Sequence, residues 1–302
     1  MNDYANDVIM HQERGHIILN TVYLLMHRSK LNFRELTQQV AGCFARAGMT
    51  VRTEPWLYES MGTLAPALFE ASETQPVEAV ISVGGDGTLL RANQVAILHH
   101  APLLGVNVGN IGFLAELELE QLETACSRLQ ENAYTLEPRR MLQASLENGV
   151  TLTALNDVVV SRGDSARVIA VKVYVNEELV GRYIADGLIV STPTGSTGYS
   201  LSAGGPIVSP KVECMIITPV CPHSLQHRPV ITSCNQSIVL EMDHEPYRHA
   251  QLSIDGQDPI TLGFQEKIFI AQAPEDAQFI RIEPKGFFNL IHYKLSAWSA
   301  WS

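Results

Sequence analysis

Cysteine is scarce in this chain and poorly placed for cross-linking. The five residues Cys43, Cys126, Cys214, Cys221 and Cys234 are odd in number, scattered, and never form a Cys-x-x-Cys pair. That pattern argues against a disulfide framework or a structural zinc site and fits a reducing cytosol. Long apolar runs are missing too. Stretches such as Leu188-Ile189-Val190 are strand-sized, far short of a membrane span. The start, Met1 to Gln12, lacks the apolar core of a secretory signal. Positive charge is in deficit: 21 Lys and Arg stand against 32 Asp and Glu, a net charge of -11, which argues against a duplex nucleic-acid partner. An anionic small ligand stays open, because backbone amides and a few placed Arg residues bind phosphate without net positive charge. The expectation is a cytoplasmic protein with neither a nucleic-acid nor a membrane partner.

What is present is ordinary globular composition, 46% apolar and 18% charged, over 302 residues. That length exceeds one comfortable hydrophobic core, so two domains are expected. The first half alternates strand and helix signals. Thr21 to Met26 reads as a short strand, and Leu36, Val40, Phe44 and Ala47 recur at helical spacing before a stop at Gly48. Met49 to Val51 begins a strand. Ala79 to Val83 is apolar except for Ser82, as expected for a strand buried on both faces of a parallel sheet. Leu89 to Leu98 reads as helix, Leu103 to Val108 as strand, and Leu119 to Leu129 as a further helical stripe. This order implies an open parallel sheet with covering helices, a Rossmann-like α/β domain.

Near Pro138 the period changes from helical to two. Leu142, Ala144 and Leu146 alternate with polar neighbours, and so do Val171, Val173 and Val175. Strand-like segments recur at Ile216-Ile217, Ile238 to Met242, Leu252 to Ile254 and Ile268 to Ile270, while Ser200 to Gly204 is the stretch most capable of helix. The second half is therefore expected to be an antiparallel β-rich domain. The division expected is 16–137 for the α/β domain, 138–279 for the β-rich domain, and 280–302 as a C-terminal segment.

Four segments carry candidate chemistry. Gly84-Gly85-Asp86-Gly87-Thr88 lies directly between the buried strand and the helix at Leu89. A hairpin turn is the plain alternative, but the flanks are a parallel-type strand and a helix. Glycines there let the backbone approach a phosphate, and the helix N-terminus offers unpaired N–H groups, which makes Gly85, Gly87 and Thr88 candidate contacts. A carboxylate among phosphates is otherwise repulsive, so Asp86 reads as a metal ligand or a base. No Gly-x4-Gly-Lys-Ser/Thr occurs, and Leu90 replaces the third glycine of a dinucleotide fingerprint. Asn156-Asp157 precedes a strand; the plain reading is a turn, the functional one a pair that fixes two ribose hydroxyls. The run Asp186 to Pro206 is rich in Gly, Ser and Thr after an apolar strand. It is either a flexible connection or a loop that wraps a nucleotide, with the Tyr199 ring as a stacking face. Asp255-Gly256-Gln257 reads as a tight turn. Cys221, His223 and His227 have no further ligand evident nearby and Pro222 disturbs their spacing, so a metal site there is disfavoured.

Taken together, Gly84 to Thr88, Asn156-Asp157 and Asp186 to Pro206, in that order, closely resemble the NAD kinase family. The match runs from about Ala79 to the Phe287-Phe288-Asn289 segment. The glycine turn is shared with diacylglycerol kinase-like lipid kinases and phosphofructokinases; the third segment looks specific to NAD kinases. The resemblance implies transfer of a phosphoryl group from ATP or polyphosphate to the 2′-hydroxyl of the adenosine ribose of NAD, giving NADP. It also implies NAD bound between the two domains, a last segment that returns to the first domain, and a homodimer or homotetramer. The divalent metal, Mg²⁺ by preference, is implied to have no dedicated protein site. The catalytic carboxylate of the family falls on Asp86. Its dinucleotide contacts fall on Gly87, Asn156, Asp157, Asp186, Thr197, Gly198, Tyr199, Ser200, Leu201, Ser202 and Gln257, with Arg91 a weaker transfer.

Three departures from the family stand out. Met26-His27-Arg28-Ser29 follows the first strand where small or Gly residues are usual. Asp157 replaces a common Glu, and Gly198 a common Ala. Two rivals are weighed against this reading. A lipid kinase sharing the glycine turn predicts an apolar pocket and membrane affinity, against the net charge of -11 and the polar second loop. A non-catalytic NAD(P) sensor has little use for a carboxylate at Asp86.

Overall fold

The computed structural model describes residues 19–27, 32–70, 76–109, 112–115, 117–163, 167–224, 226–243, 249–283 and 286–299. Met1 to Gln12 and the Arg28-Ser29 departure lie outside them. The chain divides into two units, the first running to Pro138 and resuming at Ala277, the second spanning Arg139–Asp276.

The first unit is built on a seven-stranded sheet of β1 (Thr21–Met26), β2 (Thr50–Thr53), β3 (Ala79–Gly84), β4 (Leu103–Asn107), β5 (Leu117–Glu118), β6 (Thr135–Arg139) and β19 (Ala277–Arg281). The strand order is β2-β1-β3-β4-β19-β6, with β5 beside β4. The pairs β1–β2, β1–β3, β3–β4 and β4–β19 are all parallel. Parallel neighbours need crossovers, and helices α1 (Phe33–Arg46), α2 (Pro55–Met61), α3 (Ala65–Leu68) and α4 (Asp86–His99) lie on the connections among β1 to β4, while α5 (Leu122–Gln130) leads from β5 to β6. Every residue of β3 and β4 is buried, which explains their unbroken apolar sequence. The apolar face of α1 (Val40, Ala41 and Phe44) packs on Leu24, Ile81, Val83 and Val106 of the sheet. The helix ends before Gly48, whose φ of +77° reverses the chain without a Cβ clash.

The second unit is a β-sandwich. One sheet takes β7 (Leu142–Leu146), β8 (Thr151–Ala154), β10 (Ile169–Val175), β11 (Glu178–Ala185), β15 (Ile238–Met242) and β18 (Lys267–Gln272). The other takes β9 (Asp157–Ser161), β12 (Gly187–Ser191), β13 (Cys214–Val220), β14 (Val230–Ser233), β16 (Ala250–Ile254) and β17 (Ile260–Leu262). Their orders are β11-β10-β15-β18-β7-β8 and β14-β13-β12-β9-β16-β17. Alternation places Val171, Val173, Ile238, Leu240 and Ile268 of the first sheet in one core with Val158, Leu188, Met215 and Leu252 of the second. β12 is buried on both faces, the inner against this core and the other beneath α6 (Tyr199–Ser202). That double burial is why Gly187 to Val190 reads as continuous rather than alternating.

Two boundaries differ from the sequence expectation. α4 begins at Asp86 rather than Leu89, because Gly85 itself is the N-cap and Leu89 donates to Gly85 O. The helical stretch expected at Ser200 to Gly204 is one turn, Tyr199–Ser202, ended where Gly204 takes φ +88°. The last helix, α7 (Phe287–Ser299), belongs to the first unit.

Candidate active-site residues

In the first unit the chemistry sits where β3 delivers the chain to α4. Gly84 is required by packing: a Cβ there would lie 2.3 Å from Thr88 Oγ1, since the buried Thr88 folds back over the strand end. Gly85 and Gly87 differ, because a Cβ on either would meet nothing within 4 Å and neither has a positive φ. Protein packing does not explain those two glycines, which leave open space beside the turn. Asp86 is the first residue of α4, and both carboxylate oxygens are held. Phe113 N–H donates to Oδ2 at 2.8 Å and Leu114 N–H to Oδ1 at 3.2 Å. The loop comes this close because residue 112 is glycine; a Cβ there would stand 1.9 Å from Asp86 Oδ1. Arg91 lies further along α4, where its guanidinium donates to Met26 O at 2.7 Å and pairs with Glu54 at 3.1 Å.

In the second unit, Asn156 and Asp157 stand at the head of β9, held by a residue distant in sequence. Asp255 accepts the N–H groups of Leu155, Asn156 and Asp157 at 2.8, 2.7 and 3.1 Å. It does so from a tight turn in which Asp255 and Gly256 both have positive φ and Gln257 N–H returns to Ile254 O. Gln257 is exposed on that turn. Burial, then the neighbouring Asp255 charge, pushes the Asp157 carboxyl up to about 7. Burial raises Asp255 as well, against three N–H bonds that favour its charged form.

The Asp186 to Pro206 run is ordered rather than a loose connection. Thr192 donates its N–H to Asn156 O and its hydroxyl to Leu155 O, and accepts Gly195 N–H. Gly195 is obligatory, because a Cβ would fall 2.1 Å from Asn156 O. Gly198 lies over the Asn156 amide, with Nδ2 3.5 Å from where a Cβ would be. The hydroxyls divide by role. Ser196 and Ser200 are fully buried and spent inside the protein, on Pro193 O, Val208 O and the Thr218 hydroxyl. Thr197 and Leu201 are half-buried, while Tyr199 and Ser202 are exposed. The Tyr199 phenol is raised by burial and by the nearby Cys221, Asp186 and Asp157 charges, so these groups share one neighbourhood. Asp186 pairs with Arg162 at 3.0 Å. Asn156 Oδ1 is buried without a hydrogen-bond partner, an acceptor suited to a ligand hydroxyl.

Sequence reasoning passed over Gly112, Phe113 and Leu114, and read Asp255 only as part of a tight turn. A signal existed for the loop, since Asn107-Val108-Gly109-Asn110-Ile111-Gly112 is a small-residue run leaving a buried strand. Asp255 carried a weaker one in its Asp-Gly turn. His223 and His227 join no group of three His, Cys, Asp or Glu side chains among the described residues. His227 instead stacks on Tyr183, ring centres 4.4 Å apart.

A parallel α/β unit with an open glycine turn at a strand end, joined to a β-sandwich with a buried acidic pair, defines a nucleotide-binding protein. Family comparison is specific. Residues 7–134 match the ATP-NAD kinase N-terminal domain and residues 155–282 the ATP-NAD kinase C-terminal domain. The NAD kinase of Moorella thermoacetica is 42% identical over 226 residues, covering 74% of this chain and 72% of that protein. That of Desulforamulus reducens is 36% identical over 290 residues, 93% and 98% of the two chains. Among solved structures, the Archaeoglobus fulgidus NAD kinase in complex with ATP superposes with a TM-score of 0.68 at 25% identity, covering 91% of this chain and 98% of that one. Yeast NADH kinase complexed with NADH shares the fold, with a TM-score of 0.78 at 24% identity over 92% and 86% of the chains. The chain belongs to the NAD kinase family.

Proposed function

We propose that Asp86 is the general base with which this chain phosphorylates the 2′-hydroxyl of the adenosine ribose of NAD, taking the phosphoryl group from ATP. Family membership makes the chain a phosphotransferase that converts NAD to NADP. The observation that carries the base assignment is the placing of Asp86. It stands at the first residue of α4, flanked by two glycines whose missing side chains leave open space, with its carboxylate aimed by two backbone N–H groups.

In this reading the hydroxyl oxygen forms a bond to the terminal phosphorus, the bond from that phosphorus to the leaving ADP breaks, and the hydroxyl proton passes to Asp86. Gly85 and Gly87 supply approach and N–H groups for phosphate, while the buried Thr88, whose own N–H is spent on Gly85 O, shapes the turn. Asn156 Oδ1 accepts a ribose hydroxyl, Asp157 binds the second, and the Thr197 to Ser202 turn with Asp186 and Gln257 holds the rest of the dinucleotide. Arg91 contributes through its place on α4.

The donor set of Asp86 bears on the metal. Each carboxylate oxygen already accepts one N–H, and a remaining lone pair takes the hydroxyl proton; among the described residues no group of three His, Cys, Asp or Glu side chains offers the ion a dedicated site. A divalent ion, Mg²⁺, brought with the nucleotide would supply neutralisation of phosphate charge. The Archaeoglobus relative's complex with ATP supports ATP as donor. A cytoplasmic homodimer or homotetramer completes the reading; light scattering of the purified chain tests the assembly.

The reaction is tested by incubating the protein with NAD, Mg²⁺ and either ATP or polyphosphate. NADP in step with ADP is expected. Product from polyphosphate alone would overturn the donor assignment.

A further inference from the structure

The C-terminal helix brings a cation to the base. α7 places the half-buried Lys294 Nζ 5.0 Å from the centre of the Phe113 ring. Phe113 is the residue whose backbone N–H, at 2.8 Å, fixes Oδ2 of Asp86. Three segments far apart in sequence thus form one relay: α7, the 112–114 loop and the start of α4. We propose that Lys294 is a positioning residue for phosphoryl transfer, its ammonium clamping the loop that grips Asp86 and balancing the charge of that carboxylate. The inference rests on Asp86 acting as the base.

Packing alone does not call for a lysine here. Leu or Met would cover the Phe113 ring at no cost in desolvated charge, whereas burial disfavours the Lys294 ammonium and the Asp86 charge opposes that penalty. A cation over an aromatic face adds attraction of its own. The other charged or titratable side chains nearby are otherwise disposed: Arg91 on α4 is paired with Glu54, and His292 and Tyr293 of α7 are exposed. Sequence inspection finds no cluster of lysines, so a single ammonium near Asp86 carries weight where the reaction gathers negative charge.

The test uses the full-length protein with Lys294→Met and Lys294→Arg beside Asp86→Asn. Lys294→Met is expected to lower kcat by about tenfold, with KM for NAD and the melting temperature unchanged, and Lys294→Arg to restore most of the loss. Wild-type kcat in Lys294→Met overturns the proposal. Equal impairment of both variants, or a loss that tracks a lowered melting temperature, overturns it as well, because α7 would then be a structural prop. Full turnover in Asp86→Asn sinks the base assignment itself. An inactive Asp86→Asn beside an unimpaired Lys294→Met sinks the Lys294 inference alone.

Discussion

At the scale of single residues, the two carboxylates read from the sequence live in opposite environments. Asp86 is half-exposed and held by two N–H groups, while Asp157 is 6% exposed beside a second buried acid. Its folded-state carboxyl, pushed up to about 7, keeps a proton over a pH range in which the unfolded chain has released it. The linkage sign follows: the folded state binds more protons between roughly pH 4 and 7, so this group's contribution falls as pH rises through that window and levels off above it. Asp157→Asn, which mimics the neutral form, should therefore stabilise the fold more at pH 8 than at pH 5. The upper bound is on the order of 4 kcal/mol. Urea unfolding of both proteins at the two pH values measures it, and an equal difference at both would contradict the shift. Gly112 gives a second prediction at this scale. Gly112→Ala drives a Cβ into Asp86 Oδ1, so the loop and carboxylate must separate. Turnover should fall about tenfold or more with the melting temperature little changed, the mark of lost positioning; a normal rate would show that the grip on Asp86 is dispensable.

At the scale of elements, legibility tracked the range of the interaction. β3 and the start of α4 were readable because an apolar run, a glycine turn and a helical stripe lie within about twenty consecutive positions. The partners of Asp86 stand 27 and 28 positions away, and Asp255 reaches back 98 to 100 positions to its three N–H groups. No local period encodes such bonds. Gln257 was named as a contact at that turn and Asp255 read only as part of it, because an Asp-Gly pair signals its own turn geometry and not the target of its side chain. Composition left the Asp186 to Pro206 run open between a flexible connection and a loop built to wrap a nucleotide. Its small polar residues suggest flexibility, yet Thr192, Ser196 and Ser200 are consumed in fixing the loop on Asn156 and on Thr218. Removing the Asp255 acceptor should loosen the head of β9. Asp255→Ala is expected to cost on the order of 3 kcal/mol in denaturant unfolding, since three N–H groups lose their shared acceptor. A cost below about 0.5 kcal/mol, the range of a neutral surface change, would mean water replaces it freely.

At the scale of the whole molecule, composition set the broad class and the change of period near Pro138 set the two architectures, parallel α/β and β-sandwich. Composition did not reveal that sheet strand β19 and helix α7 belong to the first unit, because the chain leaves that unit at Pro138 and returns at Ala277. Periodicity identifies an element but not the sheet it joins. That return, implied by the family resemblance but by no local pattern, carries Lys294 to the Phe113 ring beside Asp86.

The central claim is that Asp86 removes the proton of the NAD hydroxyl, and the most direct measurement is the turnover of Asp86→Asn with its NAD affinity determined by calorimetry on the same sample. A kcat at least about a hundredfold below that of the unaltered chain, with NAD affinity retained, is expected. Turnover within a few-fold of the unaltered chain would contradict it and leave Asp86 as a structural cap on the 112–114 loop.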